Sequence, residues 1–121
     1  HKHMHALGKY LIDEGNKLSK EFNLPVEFVG YGPHPVMTIK ITDDYENRLF
    51  KSYIYQHMIK AGIIFSTSMM VGYAHTKKHM DLILRELKKV YAELSGMKNY
   101  KEIEKLLEGD VVAPRTVRQT Q

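Results

Sequence analysis

The chain has 121 residues, contains neither cysteine nor tryptophan, and is 43% hydrophobic, which fits one globular domain. The lack of cysteine excludes a disulfide framework and thiolate-bound metals. The formal net charge of +4 arises from basic and acidic residues mixed along the sequence, a pattern typical of a solvated surface and not of a nucleic-acid-binding face.

No apolar run approaches the ~20 residues of a membrane-spanning helix and no signal peptide is recognisable, so we expect a cytoplasmic protein without membrane contact. The sequence begins with His1-Lys2-His3-Met4-His5 and has no initiator methionine at position 1. Two origins are open for these histidines. They belong to a native helix in a fragment of a longer protein, or they remain from an expression tag.

Residues 4–22 are predicted to form the first helix, because their apolar positions recur at helical spacing. These positions are Met4, Leu7, Leu11, Ile12, Leu18 and Phe22. Asn23 and Pro25 end the helix. Two short β-branched runs follow, residues 26–29 and 36–41, separated by a turn rich in glycine and proline. We expect these runs to be neighbouring strands.

Alternation along the two strands predicts a buried sheet face. Its residues are Val26, Phe28, Met37 and Ile39. Val29, Val36 and Ile41 are apolar as well, which predicts that the second face of the sheet is also covered. In a chain of this size, that cover would come from another domain or subunit.

The second helix is predicted to begin at an N-cap within Thr42-Asp43-Asp44 and to end at Gly62. Its inward positions are Leu49, Phe50, Tyr53, Ile54, His57 and Met58. Residues 63–65 and 69–73 are then predicted as short strands on either side of a polar loop.

Thr76 is the predicted N-cap of a third helix, which carries an apolar stripe as far as Leu94. A short helix over residues 98–107 and an irregular tail over residues 109–121 complete the chain. The order of elements predicts an α+β fold in one domain, residues 1–121. Helices would cover a small, mainly antiparallel sheet of three to four short strands.

Several segments, in order, resemble the C-terminal small domain of class-III pyridoxal-phosphate-dependent aminotransferases, and within these the branch of glutamate-1-semialdehyde aminomutase. They are ALGKYLIDEGNKLSKEFNL, GYGPHPVMTIKI with its Gly-x-x-Pro turn, MIKAGIIFSTS, YAHTKKHMDLIL and the tail LLEGDVVAPRTVR. The resemblance spans nearly the whole chain.

The resemblance implies the small domain of a fold-type I transaminase or aminomutase. In such enzymes a large domain holds pyridoxal phosphate on a Schiff-base lysine, and two subunits form a homodimer. The cofactor motifs belong to the large domain, and the lysines of this chain fall on polar helix faces or turns. We therefore expect no cofactor in this chain, pyridoxal phosphate in the full-length protein, and no catalysis by this chain alone.

Ser66, Thr67 and Ser68 are the candidate site residues, because the corresponding loop of the family faces the substrate entrance. The alternative is an ordinary turn between two strands. The loop is several residues shorter than in the aminomutase-like branch, so glutamate 1-semialdehyde is not the expected substrate. A sugar, an amino acid or another carbonyl compound remains open.

A metal site is a competing prediction. Its ligands would be His75, His79, and Asp81 or His57. Lys77 and Lys78 stand where H-E-x-x-H enzymes carry their glutamate, and their positive charge opposes a dication. With Thr76 as the N-cap, His75 precedes the helix and His79 lies in its first turn, so the histidines would not share a helical face. We therefore favour a strand-to-helix junction here.

A stand-alone protein-interaction domain without a catalytic role is the last alternative. The apolar second face of the sheet would then bind a separate partner. The native reading frame distinguishes this alternative from an aminotransferase fragment, because only the fragment requires a lysine-bearing large domain upstream.

Overall fold

The computed structural model describes residues 2–30, 34–63 and 76–112. Three α-helices, two strands and one 3₁₀ helix occur in these ranges. In chain order they are α1 (Lys2–Glu21), β1 (Val26–Val29), β2 (Val36–Ile39), α2 (Asp44–Lys60), α3 (Lys77–Ser95) and the 3₁₀ helix (Tyr100–Lys105). Each boundary lies within about two residues of its predicted position.

Helix α1 buries a single stripe of residues spaced by four, and small residues form half of it. The stripe consists of Leu7, Leu11, Gly15 and Ser19, and Gly8 is buried beside it. The helix ends because Asn23 adopts a left-handed conformation with φ 53°, and the Leu24 amide then donates to the Ser19 carbonyl at 2.9 Å. The predicted stop at Asn23 is thus confirmed, with a backbone conformation that asparagine tolerates well.

The two strands form an antiparallel hairpin in which Val26 is opposite Ile39 and Val29 is opposite Val36. This register places the predicted inner face in the core, since all four of its residues are buried. On α1, the Asn16 side chain binds both backbone groups of Phe28, at 2.9 Å to the carbonyl and 2.7 Å from the amide. The amide of Asn16 therefore occupies the outer edge of β1 as a neighbouring strand would.

The second face of the sheet is less apolar than the sequence predicts. Val29 is 40% exposed, but Glu27 and Lys40 on the same side form an ion pair at 2.8 Å. Ile41 follows the end of β2 and packs against the core instead. The apolar part of this face is thus limited to Val29 and its neighbour Val36, because Ile41 lies two residues after Ile39 and so falls on the inner side.

Helix α3 is the centre of the core. Its fully buried side chains include Leu87, Val90, Tyr91 and Leu94, and it packs against both α1 and α2. Helix α2 adds Leu49, Phe50, Ile54 and Met58, which are all 0% exposed. The structure thus confirms the predicted α+β arrangement of helices on one face of a small antiparallel sheet, with two strands in the described ranges. The predicted strand over residues 69–73 lies outside them, as does the strand predicted over residues 63–65 except for Ile63, which is not in a strand.

Candidate functional site

The candidate loop Ser66-Thr67-Ser68 lies outside the described residues, so its setting is given by the two helix ends that flank it. Helix α2 precedes the loop and helix α3 follows it. The end of α2 is fixed by Gly62, whose φ of 81° favours glycine. The Ile63 amide donates to the Met58 carbonyl at 2.9 Å, and the Ile63 side chain is buried.

The start of α3 is fixed by a side-chain cap. Thr76 has extended backbone geometry, and its hydroxyl oxygen accepts a hydrogen bond from the His79 amide at 3.2 Å. This confirms the predicted N-cap. One turn later, Asp81 accepts hydrogen bonds from the Tyr10 hydroxyl and from Lys77, and the Lys77 ammonium lies 4.9 Å from the centre of the Tyr10 ring. These contacts bind the first turn of α3 to α1.

An ion-pair cluster joins α2 and α3. The Glu86 carboxylate is buried, at 7% exposure. One oxygen lies 2.9 Å from Nε2 of His57, and the other accepts from Lys89 at 3.1 Å. The Lys89 hydrogen bond and the one with His57 lower the pKa of Glu86 despite the opposing effect of burial. Because both oxygens are engaged, this carboxylate acts as a helix-to-helix anchor and not as a free acid or base.

Three tyrosine hydroxyls donate to carboxylates on other elements. The pairs are Tyr10 with Asp81, Tyr45 with Glu104, and Tyr53 with Glu93. The carboxylate partners raise the pKa of Tyr10 and of Tyr45. Burial, with a contribution from Glu93, raises the pKa of Tyr53 to about 12. The phenols therefore stay protonated at neutral pH, and they serve as donors that fasten one element to the next.

Tyr91 differs from these three. It is 0% exposed, and its hydroxyl lacks a hydrogen-bond partner among the described residues. Burial raises its pKa, and Ser19 is the polar side chain that interacts with it. The Ser19 hydroxyl donates to the Gly15 carbonyl at 3.1 Å. This polar pair lies inside the α1–α3 interface, in a position that sequence periodicity assigns to a plain core aromatic.

The proposed metal ligands that lie in the described ranges are not brought together, and two of them have other partners. His57 is paired with Glu86, and Asp81 is held by Tyr10 and Lys77. His75 lies outside the described ranges, so its distance from His79 is not tested. Within residues 2–30, 34–63 and 76–112, no cluster of three histidine or acidic side chains has the proximity that a metal ion requires.

The exposure of the lysines bears on whether this chain could hold a Schiff-base cofactor. Every lysine of the chain lies in the described ranges; Lys51 is half-buried and all the others are exposed. A lysine that forms a Schiff base needs a desolvated environment to hold its amine neutral. The exposed lysines lack such an environment, so they do not fit the lysine-bearing part of a pyridoxal-phosphate site. Nor does any helix in the described part have the length and apolar character needed to cross a membrane.

No protein-family model and no curated protein sequence matches the chain. Solved structures do. They include an omega-transaminase from Sphaerobacter thermophilus, with a TM-score of 0.70 and 12% identity over 78% of this chain and 24% of that one. Another is the FumI protein of Sphingopyxis sp. MTA144 in its PLP internal aldimine form, with a TM-score of 0.64 and 16% identity over 84% of this chain and 25% of that one.

The chain thus spans about a quarter of the length of these structures. Identity at this level shows a shared fold and not a shared activity. The small antiparallel sheet and the helices that cover it match a portion of both proteins. The chain therefore has an α+β fold that it shares with a portion of this omega-transaminase and of FumI.

Proposed function

We propose that this chain is the C-terminal small domain of a class-III PLP-dependent aminotransferase or aminomutase, in the branch similar to glutamate-1-semialdehyde aminomutase. The observation that carries the proposal is the fold match, which covers most of this chain and only a quarter of two longer PLP-dependent proteins. The sequence segments that resemble the family occur in the same order along the chain. The proposal keeps the cytoplasmic location expected from the sequence.

In the full-length protein, this domain would pack against its own large domain and contribute to a homodimer. Ser66, Thr67 and Ser68 would face the substrate entrance. The rigid flanks of the loop support this role, because Gly62 and Ile63 fix one end and the Thr76 cap fixes the other. Hydroxyl groups on a loop with fixed ends are suited to orienting a polar substrate.

The domain would contribute shape and positioning, while pyridoxal phosphate bound to the large domain would supply the electron sink. The exposure of all its lysines other than Lys51 supports the absence of a Schiff-base residue in this part of the protein. On its own, the domain would have no transaminase activity. A stand-alone interaction domain would differ by having no lysine-bearing partner domain in the same reading frame.

The test compares this chain with the protein encoded by its full reading frame. Both are incubated with pyridoxal phosphate, reduced with borohydride and analysed by peptide mass spectrometry. We expect a pyridoxyl-lysine in the upstream domain of the long protein and none in residues 1–121. A pyridoxyl group on a single lysine of this chain would contradict the proposal, as would a reading frame that encodes no upstream domain.

The loop assignment has a separate test in the active long protein. Thr67→Val keeps the size of the side chain and removes its hydroxyl. If the loop faces the entrance, the variant raises KM for the amino donor or acceptor and leaves the internal aldimine spectrum unchanged. Thr42→Val, at the start of α2, is the matched control. Equal kinetics for the two variants would refute the loop assignment.

A further inference from the structure

One polar face of α2 holds the segment that follows the 3₁₀ helix. Arg48, Ser52, Gln56 and Lys60 are spaced by four and lie on the same side of the helix. All four contact residues of the segment Leu106–Val112. The segment runs antiparallel to α2, since Glu108 lies beside Lys60 and Val112 lies beside Arg48.

Most of these contacts are to backbone atoms of the segment. Gln56 donates to the Leu106 carbonyl at 3.0 Å and accepts from the Glu108 amide at 2.7 Å. The Val112 amide donates to the Ser52 hydroxyl oxygen at 2.9 Å, and Arg48 donates to the Val112 carbonyl at 3.4 Å. The ion pair between Lys60 and Glu108 is the one contact to a side chain of the segment among these five bonds.

The apolar contacts of the segment are weak by comparison. Leu106 is 45% exposed, Leu107 and Val111 are half-buried, and no residue from 106 to 112 is buried. The last buried residue before the segment is Ile103, which is 0% exposed. Segments with few buried apolar contacts and exposed hydrogen bonds open at a lower free energy than the core.

We propose that Leu106–Val112 is a releasable strap. It detaches from α2 as one unit, with its hinge at the end of the 3₁₀ helix between Lys105 and Leu106, while the helices and the hairpin stay folded. Gln56 controls the release, because its single side chain holds two backbone groups of the strap. Release exposes Arg48, Ser52 and Gln56 along one side of α2. This inference goes beyond the proposed function and holds whether or not the domain belongs to an aminotransferase.

Amide hydrogen exchange on the full chain tests the proposal. The reporters are the strap amides of Glu108 and Val112, and the core amide of Leu87 in α3. In the unmodified protein, we expect the strap amides to exchange with similar opening free energies and weak denaturant dependence, and Leu87 to exchange with strong denaturant dependence. Equal denaturant dependence for the strap amides and Leu87 would overturn the proposal without any variant.

The Gln56→Ala variant then tests whether the strap opens as a single unit. It removes two hydrogen bonds, so we expect Glu108 to exchange ~10-fold faster or more. Val112 does not contact Gln56, yet it should accelerate by a similar factor if the strap opens as a unit. Leu87 should not accelerate, since alanine favours the helix. An unchanged Val112 amide would show piecewise fraying and refute the proposal.

Lys60→Met is the matched control on the same face of α2. It removes the exposed ion pair with Glu108 and leaves every backbone contact of the strap in place. Exposed ion pairs contribute little, so we expect strap exchange to change by about threefold or less. A larger acceleration in Lys60→Met than in Gln56→Ala would show that charge pairing holds the strap, and it would overturn the role assigned to Gln56.

Discussion

The Asn16 side chain is bonded to both the amide and the carbonyl of Phe28, at 2.7 and 2.9 Å. We expect Asn16→Ala to lower the free energy of unfolding by about 1–3 kcal/mol, because the substitution leaves two backbone groups of β1 without partners. Asn16→Asp keeps an acceptor for the amide and places a negative charge against the carbonyl, so it should also destabilise. Denaturant titration measures both, and a neutral Asn16→Ala would contradict the edge-covering role.

Gly15 is the second determinant of this contact. A Cβ atom at position 15 would lie 2.5 Å from Cδ2 of Phe28, closer than van der Waals contact permits. We expect Gly15→Ala to destabilise by about 1–3 kcal/mol despite the better helix propensity of alanine. Gly15→Ala should cost less stability in a Phe28→Leu background, where the ring is absent, than in the unmodified chain. Additive effects in that cycle would show that the ring is not the obstacle.

Gly62 is required because of its backbone conformation and not because a side chain would clash. Among the described residues, no atom lies within 4 Å of a Cβ built there, but φ is 81°. We expect Gly62→Ala to cost about 1 kcal/mol, and Gly62→Asn to cost less because asparagine tolerates this region. Gly96→Ala is the control, since Gly96 has φ −86° and only ordinary contacts. Equal melting temperatures for Gly62→Ala and Gly96→Ala would count against the assignment.

Glu86 predicts a specific pH dependence of stability. Its folded pKa lies below the ordinary value of 4.5, so ionised Glu86 stabilises the fold above that pH, and the contribution is lost as the pH falls through the folded pKa. Glu86→Gln should therefore lower the melting temperature at pH 7, by an amount that shrinks below pH ~4. Lys89→Met removes the main cause of the shift and should weaken the same dependence. A pH-independent difference would contradict this linkage.

The Thr76 cap predicts a stabilising substitution. His79 occupies the third position of α3, where a glutamate completes a capping box with the threonine and favours the positive end of the helix dipole. We expect His79→Glu to raise the free energy of unfolding by about 0.3–1 kcal/mol. In a Thr76→Ala background the gain should be smaller. Destabilisation by His79→Glu in the unmodified chain would refute the capping model.

The helices and the hairpin could be predicted because burial patterns at periods of 3.6 and 2 are local properties of the sequence. Thr76, Gly62 and Asn23 are likewise residues whose chemistry marks a helix end in isolation. Ile41 was assigned to the wrong face, because it lies two residues after Ile39 and alternation places it on the same side as Met37 and Ile39.

Contacts between distant residues had no such signal. Asn16 and Gly15 look like unremarkable helix residues until the hairpin is placed against them, and His57 meets Glu86 across 29 positions of sequence. The contact between the polar face of α2 and Leu106–Val112 was also missed. Polar residues such as Gln56 and Ser52 are expected to face solvent, and a coil segment has no periodicity that would predict where it packs. The loop Ser66-Thr67-Ser68 remains a prediction from family resemblance.

The tyrosine–carboxylate pairs give the folded protein an optical property. With no tryptophan in the chain, its intrinsic ultraviolet emission comes from tyrosine alone. A carboxylate that accepts a hydrogen bond from a phenol quenches that emission by taking up the proton in the excited state. Tyr10, Tyr45 and Tyr53 are all held in this way, and each bond joins two different elements. These three of the eight tyrosines should be quenched in the folded domain and should brighten as its helices separate, so that their share of the emission reports on docking.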